Sequence, residues 1–321
     1  MTNLNHINGI VPIIPTPFTP KEEVDWSALR KLVAFARETG ACAGCLPAYA
    51  SEFYKLAERE RRQIVTEAVQ HADGRFPIIA QVNYPGLREA LENAKFAQEV
   101  GADGVCIAVP RLFQLPESDL LRYFDRILGA IDIPVLIQDY NPSGQTVSAR
   151  FAAELHRQHP HFRYLKLEEP MMAAKIEAIL QETGGEVGVL EGWGGMYMLE
   201  LIPAGICGVM PGLAVADLLA RVYDLASRGE KAQAYAIFAE VLPQIVYSLQ
   251  HMELFHHAEK RLLESRGILE TTHVRDAGMQ LRASDAEHID FLNSQILALL
   301  DRLGMPHNPP SPLAELVANT R

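Results

Sequence analysis

Along most of the chain, short apolar runs alternate with longer stretches in which apolar positions recur every three or four residues. The runs Gly9–Ile14, Cys42–Leu46, Pro77–Val82, Gly104–Ala108, Pro134–Gln138, Phe162–Lys166, Val187–Leu190 and Gly205–Met210 predict strands. The stretches Ser27–Thr39, Glu58–His71, Leu87–Val100, Ser118–Ala130, Ala149–Gln158, Met172–Glu182, Met196–Ile202 and Ala214–Ser227 predict helices. Gly and Pro punctuate the strand entries, as in Gly101-Ala102-Asp103-Gly104 and Ile133-Pro134. Eight strand-then-helix units predict a parallel sheet closed into a (β/α)8 TIM barrel. After Gly229 the pattern is all-helical, with Lys231–Gln250, His256–Ser265 and Ser284–Leu303. Residues 1–229 are therefore expected to form the barrel and 230–321 a C-terminal helical extension packed on it. The Pro-rich end from Pro306 is expected to be loose.

Composition narrows the classes. With 321 residues the chain can bury a large core without disulfide or metal staples. A net charge of −11 argues against a nucleic-acid or anionic-membrane surface, because both need clustered Lys and Arg. It does not argue against an anionic small substrate, which one lysine or a few backbone N–H groups can hold. Met1 to Gly9 is polar, and no run of apolar residues is long enough to span a bilayer. A cytoplasmic protein without signal peptide or membrane helix is expected. Of the four cysteines, Cys42 and Cys45 form a lone CxxC. Such a pair can be a redox or zinc site, but no second CxxC or CxxH completes a ligand set. Buried thiols of a barrel strand are the expectation.

In a barrel of this kind, chemistry sits at the C-terminal ends of the strands. Those ends carry Thr16-Pro17, Tyr49-Ala50-Ser51-Glu52, Asn83-Tyr84, Arg111, Gln138-Asp139-Tyr140, Lys166-Leu167-Glu168, Gly192-Trp193 and Met210-Pro211. Of eight lysines, only Lys166 lies in a strand-like run, Phe162 to Glu168. Burial disfavours an ammonium ion, and a neutral amine is what attacks a ketone to form an imine. Strand alternation puts Glu168 on the same face as Lys166. That arrangement suits a structural ion pair with Glu168 or Glu169, and it equally suits a carboxylate moving protons beside an imine.

The residues resemble the dihydrodipicolinate synthase and N-acetylneuraminate lyase superfamily of class I aldolases and dehydratases. Ile14-Pro15-Thr16-Pro17-Phe18 resembles the family's first-strand TPF element, and Ser51-Glu52-Phe53-Tyr54-Lys55-Leu56 lies where the family has its GTTGE-xxx-L loop. Gly101-Ala102-Asp103-Gly104 resembles the GADG entry to strand four, and Gly205-Ile206-Cys207-Gly208-Val209 the strand-eight GxxGV. The resemblance implies a Schiff-base role for Lys166, a small 2-oxo acid as substrate and no metal or organic cofactor. It also implies a homodimer or homotetramer.

The departures change the expected chemistry. Tyr49 and Ala50 stand where dihydrodipicolinate synthase has its two threonines, and Ser51 replaces the glycine. Gln138 replaces the strand-five tyrosine, Arg111 and Leu112 occupy the region of the relay tyrosine, and Asn141-Pro142-Ser143-Gly144 lacks the substrate-binding arginine. A glutamine donates and accepts hydrogen bonds but does not exchange protons as a phenol does. Dihydrodipicolinate synthase activity is therefore not expected. Ser51-Glu52, Ile137-Gln138-Asp139 and Lys166-Leu167-Glu168 are similar to the L-2-keto-3-deoxyarabonate dehydratase branch, which dehydrates a 2-keto-3-deoxy sugar acid through the same imine.

The resulting site expectation has Lys166, Gln138 and Glu168 as catalytic groups, with Tyr49 or a water as the alternative proton carrier. Backbone N–H groups beside Tyr49 and Ala50, with the Ser51 hydroxyl, would hold the C1 carboxylate. Asn83, Tyr140, Trp193 and Val209 would line the pocket. Glu52 is expected to brace backbone. Retro-aldol release of pyruvate shares the imine and stays open. So does a barrel that binds a 2-oxo acid without turnover. His156, His159 and His161 fall on the opposite face, so a solvated loop is expected there, and His251, His256 and His257 show no ligand spacing. Gly184-Gly185 and Gly194-Gly195 are too short for a phosphate cradle and read as turns. Ile245, Leu249 and Leu254 could serve an interface or intrachain packing.

Overall fold

The apolar runs become eight strands in the computed structural model, which describes Leu4 and residues 6–84, 86–141 and 144–308. They are β1 (Gly9–Ile10), β2 (Gly44–Leu46), β3 (Ile78–Gln81), β4 (Gly104–Ala108), β5 (Val135–Tyr140), β6 (Phe162–Glu168), β7 (Gly188–Glu191) and β8 (Gly208–Val209). Every ladder is parallel and joins neighbours in the chain, from β2–β3 through β7–β8, and β8 pairs with β1. The Ile13–Cys45 bridge closes the ring, with the Cys45 N–H donating to Pro12 and the Ile14 N–H to Cys45. β1 is shorter than its apolar run because Pro12 has no N–H to give the ladder.

Helices α1 (Trp26–Glu38), α2 (Glu58–Ala72), α3 (Leu87–Glu99), α4 (Glu117–Leu128), α5 (Ala149–Gln158), α6 (Ala173–Glu182), α7 (Met198–Leu201) and α8 (Ala216–Ser227) follow the strands in turn. Their starts are legible in local chemistry. The Asp25 carboxylate accepts the Ala28 N–H at the head of α1, and the Ser148 hydroxyl accepts the Phe151 N–H at the head of α5.

Strand alternation divides the core into two layers. Val11, Ile13, Cys45, Ile79, Cys106, Leu136, Tyr164, Leu190 and Met210 fill the barrel interior. Val105, Ile107, Ile137, Leu165, Leu167, Val189 and Val209 face the helices. The same alternation places Gln138, Lys166 and Glu168 inward at the barrel mouth. β5 and β6 run two residues beyond their apolar runs. Asp139 sits at zero exposure in β5 because Arg111 and the Val147 N–H satisfy its carboxylate. The four cysteines are free thiols; Cys45 and Cys106 lie in the interior layer, and Cys42 donates to the Asn8 carbonyl.

The C-terminal segment forms α9 (Lys231–Ser248), α10 (Met252–Ser265) and α11 (Ala283–Leu303). Ile245, Leu262, Leu263, Ile296, Leu299 and Leu300 join the same apolar core as the barrel helices. α10 begins four residues earlier than the apolar pattern suggests, because the His251 ring accepts the Glu253 N–H and caps it. Ile245 is buried in that core, Leu249 packs beside Gly194, and Leu254 packs with Ala258 and Ile289, so these positions serve intrachain packing. Arg266, at 2% exposure, makes a bidentate pair with Asp217 and also holds the carbonyls of Ala214 and His307. That last bond ties the chain down as far as His307, short of the looseness expected from Pro306. Residues 309–321 lie outside the described residues.

Candidate active site

At the C-terminal ends of the strands the barrel opens into a cavity of about 760 Å³. Its floor is made by Lys166 and Glu168 of β6 and Gln138 of β5. The Lys166 amine is 3.3 Å from Glu168 Oε1, and both side chains are less than a tenth exposed. Gln138 Nε2 donates to Glu168 Oε2 at 2.7 Å, and Gln81 Nε2 donates to Gln138 Oε1 at 2.6 Å. Cys45 extends the chain with a thiol donor 3.6 Å from Gln81 Oε1. Gln138 thus presents its NH2 to Glu168 and its carbonyl to Gln81. The Trp193 N–H also approaches Glu168 Oε1, at 3.3 Å. Gly192 makes room for this carboxylate, because a Cβ there would stand 2.2 Å from Glu168 Cγ.

Other expected residues divide. Tyr49, Ala50, Tyr140 and Trp193 line the cavity. Burial raises the Tyr49 phenol above its ordinary value, and the Glu168 charge adds to the effect; the same two causes, in that order, raise Tyr140. Ser51 does not reach the cavity. Its hydroxyl donates to the Ile14 carbonyl at 2.6 Å and accepts the Ala48 N–H at 3.0 Å, so it fastens the loop from below at zero exposure. Asn83 also lies outside the lining: its Oδ1 accepts the Ala108 N–H at 2.8 Å and secures the end of β4. Val209 is turned to the helix side of the sheet, and its neighbour Met210 faces the cavity instead. A one-residue step reverses the face of a strand, and GxxGV alone does not set that phase.

Glu52 stays out of the cavity lining, but it braces the loop mainly through lysine side chains and takes only one backbone N–H among the described residues. It sits at φ 58° with 1% exposure, and its carboxylate takes Lys260 at 2.5 Å, Lys55 at 3.1 Å and the Arg275 N–H at 3.2 Å. This cluster ties the loop after β2 to α10. Burial pulls the Lys260 ammonium down to about 8 despite Glu52 against it.

Sequence reasoning missed the roof. Tyr54 and Tyr197, together with Gln250, His251, Met252 and Phe255 from the α9–α10 junction, complete the lining. The Tyr54 hydroxyl bonds Glu253 and lies 2.9 Å from His256 Nε2, which fixes that wall to α10. Burial raises the Tyr54 phenol, and the Glu253 bond raises it further. No local pattern marks Gln250, His251, Met252 and Phe255, which meet the barrel only through long-range packing, whereas Tyr54 lies in the Ser51–Leu56 loop and Tyr197 in the loop after β7. Arg111 stood among the strand-end residues without a role; it lines the cavity and grips Asp139 with Nε–Oδ1 2.9 Å and Nη2–Oδ2 2.5 Å. Behind the lining, Glu191 is 1% exposed, and burial raises its carboxyl well above the ordinary range. His156, which lies in the last turn of α5 instead of in a loop, and His159 and His161 after it are half-buried and hold the Phe162 carbonyl, the Asp125 carboxylate and the Leu128 carbonyl, so the solvated loop expected here is a set of packed contacts. Gly184 and Gly185 occupy a turn at positive φ.

Comparison with known proteins places this arrangement. The model of the dihydrodipicolinate synthetase family matches residues 6–291. The chain is 26% identical over 299 residues to an L-2-keto-3-deoxyarabonate dehydratase of Azospirillum brasilense, covering 92% of this chain and 94% of that one. It is 27% identical over 241 residues to a 4-hydroxy-tetrahydrodipicolinate synthase of Methanopyrus kandleri, covering 74% and 80%. The crystal structure of a dihydrodipicolinate synthase from Rhodopseudomonas palustris superposes with a TM-score of 0.83 at 26% identity, covering 90% of this chain and 97% of that one. The Escherichia coli protein YagE, solved with pyruvate, superposes at 0.79 with 20% identity, covering 91% and 98%, which supports the fold alone. A parallel eight-stranded barrel, an inward strand-six lysine and a family match spanning the barrel and most of its helical extension lead to one conclusion: the chain belongs to the dihydrodipicolinate synthetase family.

Proposed function

We propose that this protein is a class I lyase that dehydrates a 2-keto-3-deoxy sugar acid through an imine on Lys166. The observation that carries this reading is the pairing on the cavity floor: the amine stands 3.3 Å from a carboxylate, and a glutamine occupies the strand-five position where dihydrodipicolinate synthase has a phenol. A carboxylate beside the amine can take a proton and return it.

In this mechanism the substrate's 2-keto group condenses with the Lys166 amine and releases water. The protonated imine draws electrons from C3, and Glu168 removes a C3 proton to give the enamine. Glu168 then returns that proton to the C4 hydroxyl, the C4–O bond breaks, and water leaves. Tautomerisation and hydrolysis of the conjugated imine free the amine and a 2-oxo acid one water lighter than the substrate. Gln138 holds Glu168 by one oxygen and leaves the other beside the amine. The short turn Tyr49–Ser51 begins with N–H groups that have no acceptor within it, and those of Tyr49 and Ala50 would hold the C1 carboxylate. In this reading the Ser51 hydroxyl, engaged by the Ile14 carbonyl and the Ala48 N–H, supports the loop and leaves the carboxylate to the backbone. None of these steps calls on a metal or organic cofactor.

The test is borohydride trapping with pyruvate, 2-oxobutyrate and 2-keto-3-deoxy pentonates and hexonates, read by intact mass, with Lys166→Ala as control. Parallel untreated mixtures are assayed for 2-oxoglutarate semialdehyde and for pyruvate. An adduct lost in the control, with the semialdehyde released from a pentonate, supports dehydration. Pyruvate release would replace it with C3–C4 cleavage, and an adduct without any product would leave a binding barrel. No adduct would overturn the imine.

We also propose that the protein assembles as a homodimer or homotetramer. Leu112 and Phe113 after β4 are each 76% exposed, and Met171 after β6 is 95% exposed. A second copy would cover such a rim, and sedimentation at a single mass of one chain would refute it.

A further inference from the structure

We propose that Arg111, held by Asp139, reads the distal end of the substrate and selects a tail of uncharged hydroxyls over one ending in a second carboxylate; this rests on the imine reading above.

Position is the first ground. Ala108 of β4 is paired with Gln138, and Gln138 with Lys166, so the three share one level of the barrel. Arg111 comes three residues after Ala108, so its Cα stands no more than about 10 Å beyond that level at ~3.3 Å per residue. Its side chain is one-quarter exposed and lines the cavity. A five- or six-carbon acid bonded to Lys166 at C2 extends its tail toward this level.

Charge is the second ground. Asp139 is fully buried and accepts from Arg111 Nε, Arg111 Nη2 and the Val147 N–H. The guanidinium is therefore fixed in orientation and its charge is cancelled. Its third nitrogen, Nη1, has no hydrogen-bond partner among the described residues, so the pair offers the cavity a neutral, oriented donor. The other cationic side chain of the lining, Lys166, faces Glu168, and His251 uses Nδ1 to accept the Glu253 N–H. Among the described lining residues no cation is left uncompensated. A hydroxyl can accept from Arg111 at little desolvation cost, whereas a second carboxylate would lose its water without gaining a counter-charge.

The experiment compares a hydroxyl-terminated 2-keto-3-deoxy acid with the analogue of equal length that ends in a carboxylate. Pyruvate, which has no tail, is trapped with borohydride alongside. The wild-type protein is expected to favour the hydroxyl-terminated acid by on the order of a hundredfold in kcat/KM. Asp139→Asn leaves the Arg111 charge uncompensated, and the preference is expected to narrow by about tenfold or more. Because Asp139 is fully buried, Arg111→Met supplies an independent arm. It is expected to raise KM for the hydroxyl-terminated acid by about ten- to hundredfold, with a clearly smaller effect on pyruvate trapping. Equal use of both acids by the wild type would overturn the inference, and so would an Arg111→Met loss as large for pyruvate as for the long acid. Absence of any adduct in the wild type would overturn the imine reading, and this one with it.

Discussion

Gly192→Ala tests the catalytic geometry without altering any group in the proposed chemistry. Gly192 has φ −91°, so alanine meets no left-handed strain there. The obstacle is Glu168: the new Cβ would lie 2.2 Å from its Cγ and 2.5 Å from its Cδ and Oε1. Ordinary carbon contacts begin near 3.5 Å, so the carboxylate must retreat by about 1.3 Å or more. That displacement is large against the 3.3 Å separating Glu168 from Lys166, and it also disturbs the Trp193 N–H contact. A misplacement of about 1 Å in a reacting constellation costs roughly a hundredfold in rate, or about 2.7 kcal/mol of barrier. Overpacking of this kind lowers stability by about 1–3 kcal/mol. Turnover of the 2-keto-3-deoxy acid is expected to fall about a hundredfold, while borohydride still traps pyruvate on Lys166 and the melt remains cooperative. Turnover within about threefold of wild type, in a folded variant, would refute the placement of Glu168 as the proton carrier.

Three further outcomes follow from the packing around the site. Lys260→Met leaves the buried Glu52 carboxylate without its 2.5 Å partner and is expected to cost about 3–5 kcal/mol by urea unfolding. Adding Glu52→Gln should recover part of that loss, and strict additivity would refute the coupling. Glu259, buried against the Ala214 N–H, has its carboxyl raised by burial from the ordinary 4.5 to about 7. Between those values the folded state holds more protons than the unfolded one, so stability is full below about pH 4.5 and falls as pH rises to about 7, by roughly 3 kcal/mol. Glu259→Gln should lack that component, so unfolding curves of the two proteins that stay parallel between about pH 5 and 7.5 would refute it. Ser51→Ala removes the bonds to Ile14 and Ala48 and is expected to cost about 1–3 kcal/mol of stability. A rise in the pyruvate concentration needed for trapping, without a loss of stability, would instead return Ser51 to the carboxylate site.

The barrel was legible because its signals are local. Each strand is a short apolar run between turn residues, each helix has its own stripe and cap, and eight such units admit few arrangements. The lysine was legible for the same reason, since Lys166 alone among the lysines interrupts an apolar run, and period-two alternation then fixed Glu168 on its face. Gln138 followed from its place in the neighbouring run.

What chain order could not supply was phase and distance. Val209 and Met210 differ by one residue, and only the pairing of β8 with β1 and β7 fixes which of them faces the cavity. Ser51 and Asn83 looked like substrate ligands because their natural partners, the Ile14 carbonyl and the Ala48 and Ala108 N–H groups, come from other parts of the chain. Tyr54, His251 and Phe255 gained a place in the site only when α10 was drawn across the barrel mouth by Glu52, Lys260 and Glu253. Propensity and periodicity act over one element and are written in the order of residues. The roof of the cavity, the saturation of a hydroxyl and the cancelled charge of Arg111 depend on groups far apart in sequence, whose meeting is settled by packing and by the cost of leaving buried polar groups unpaired.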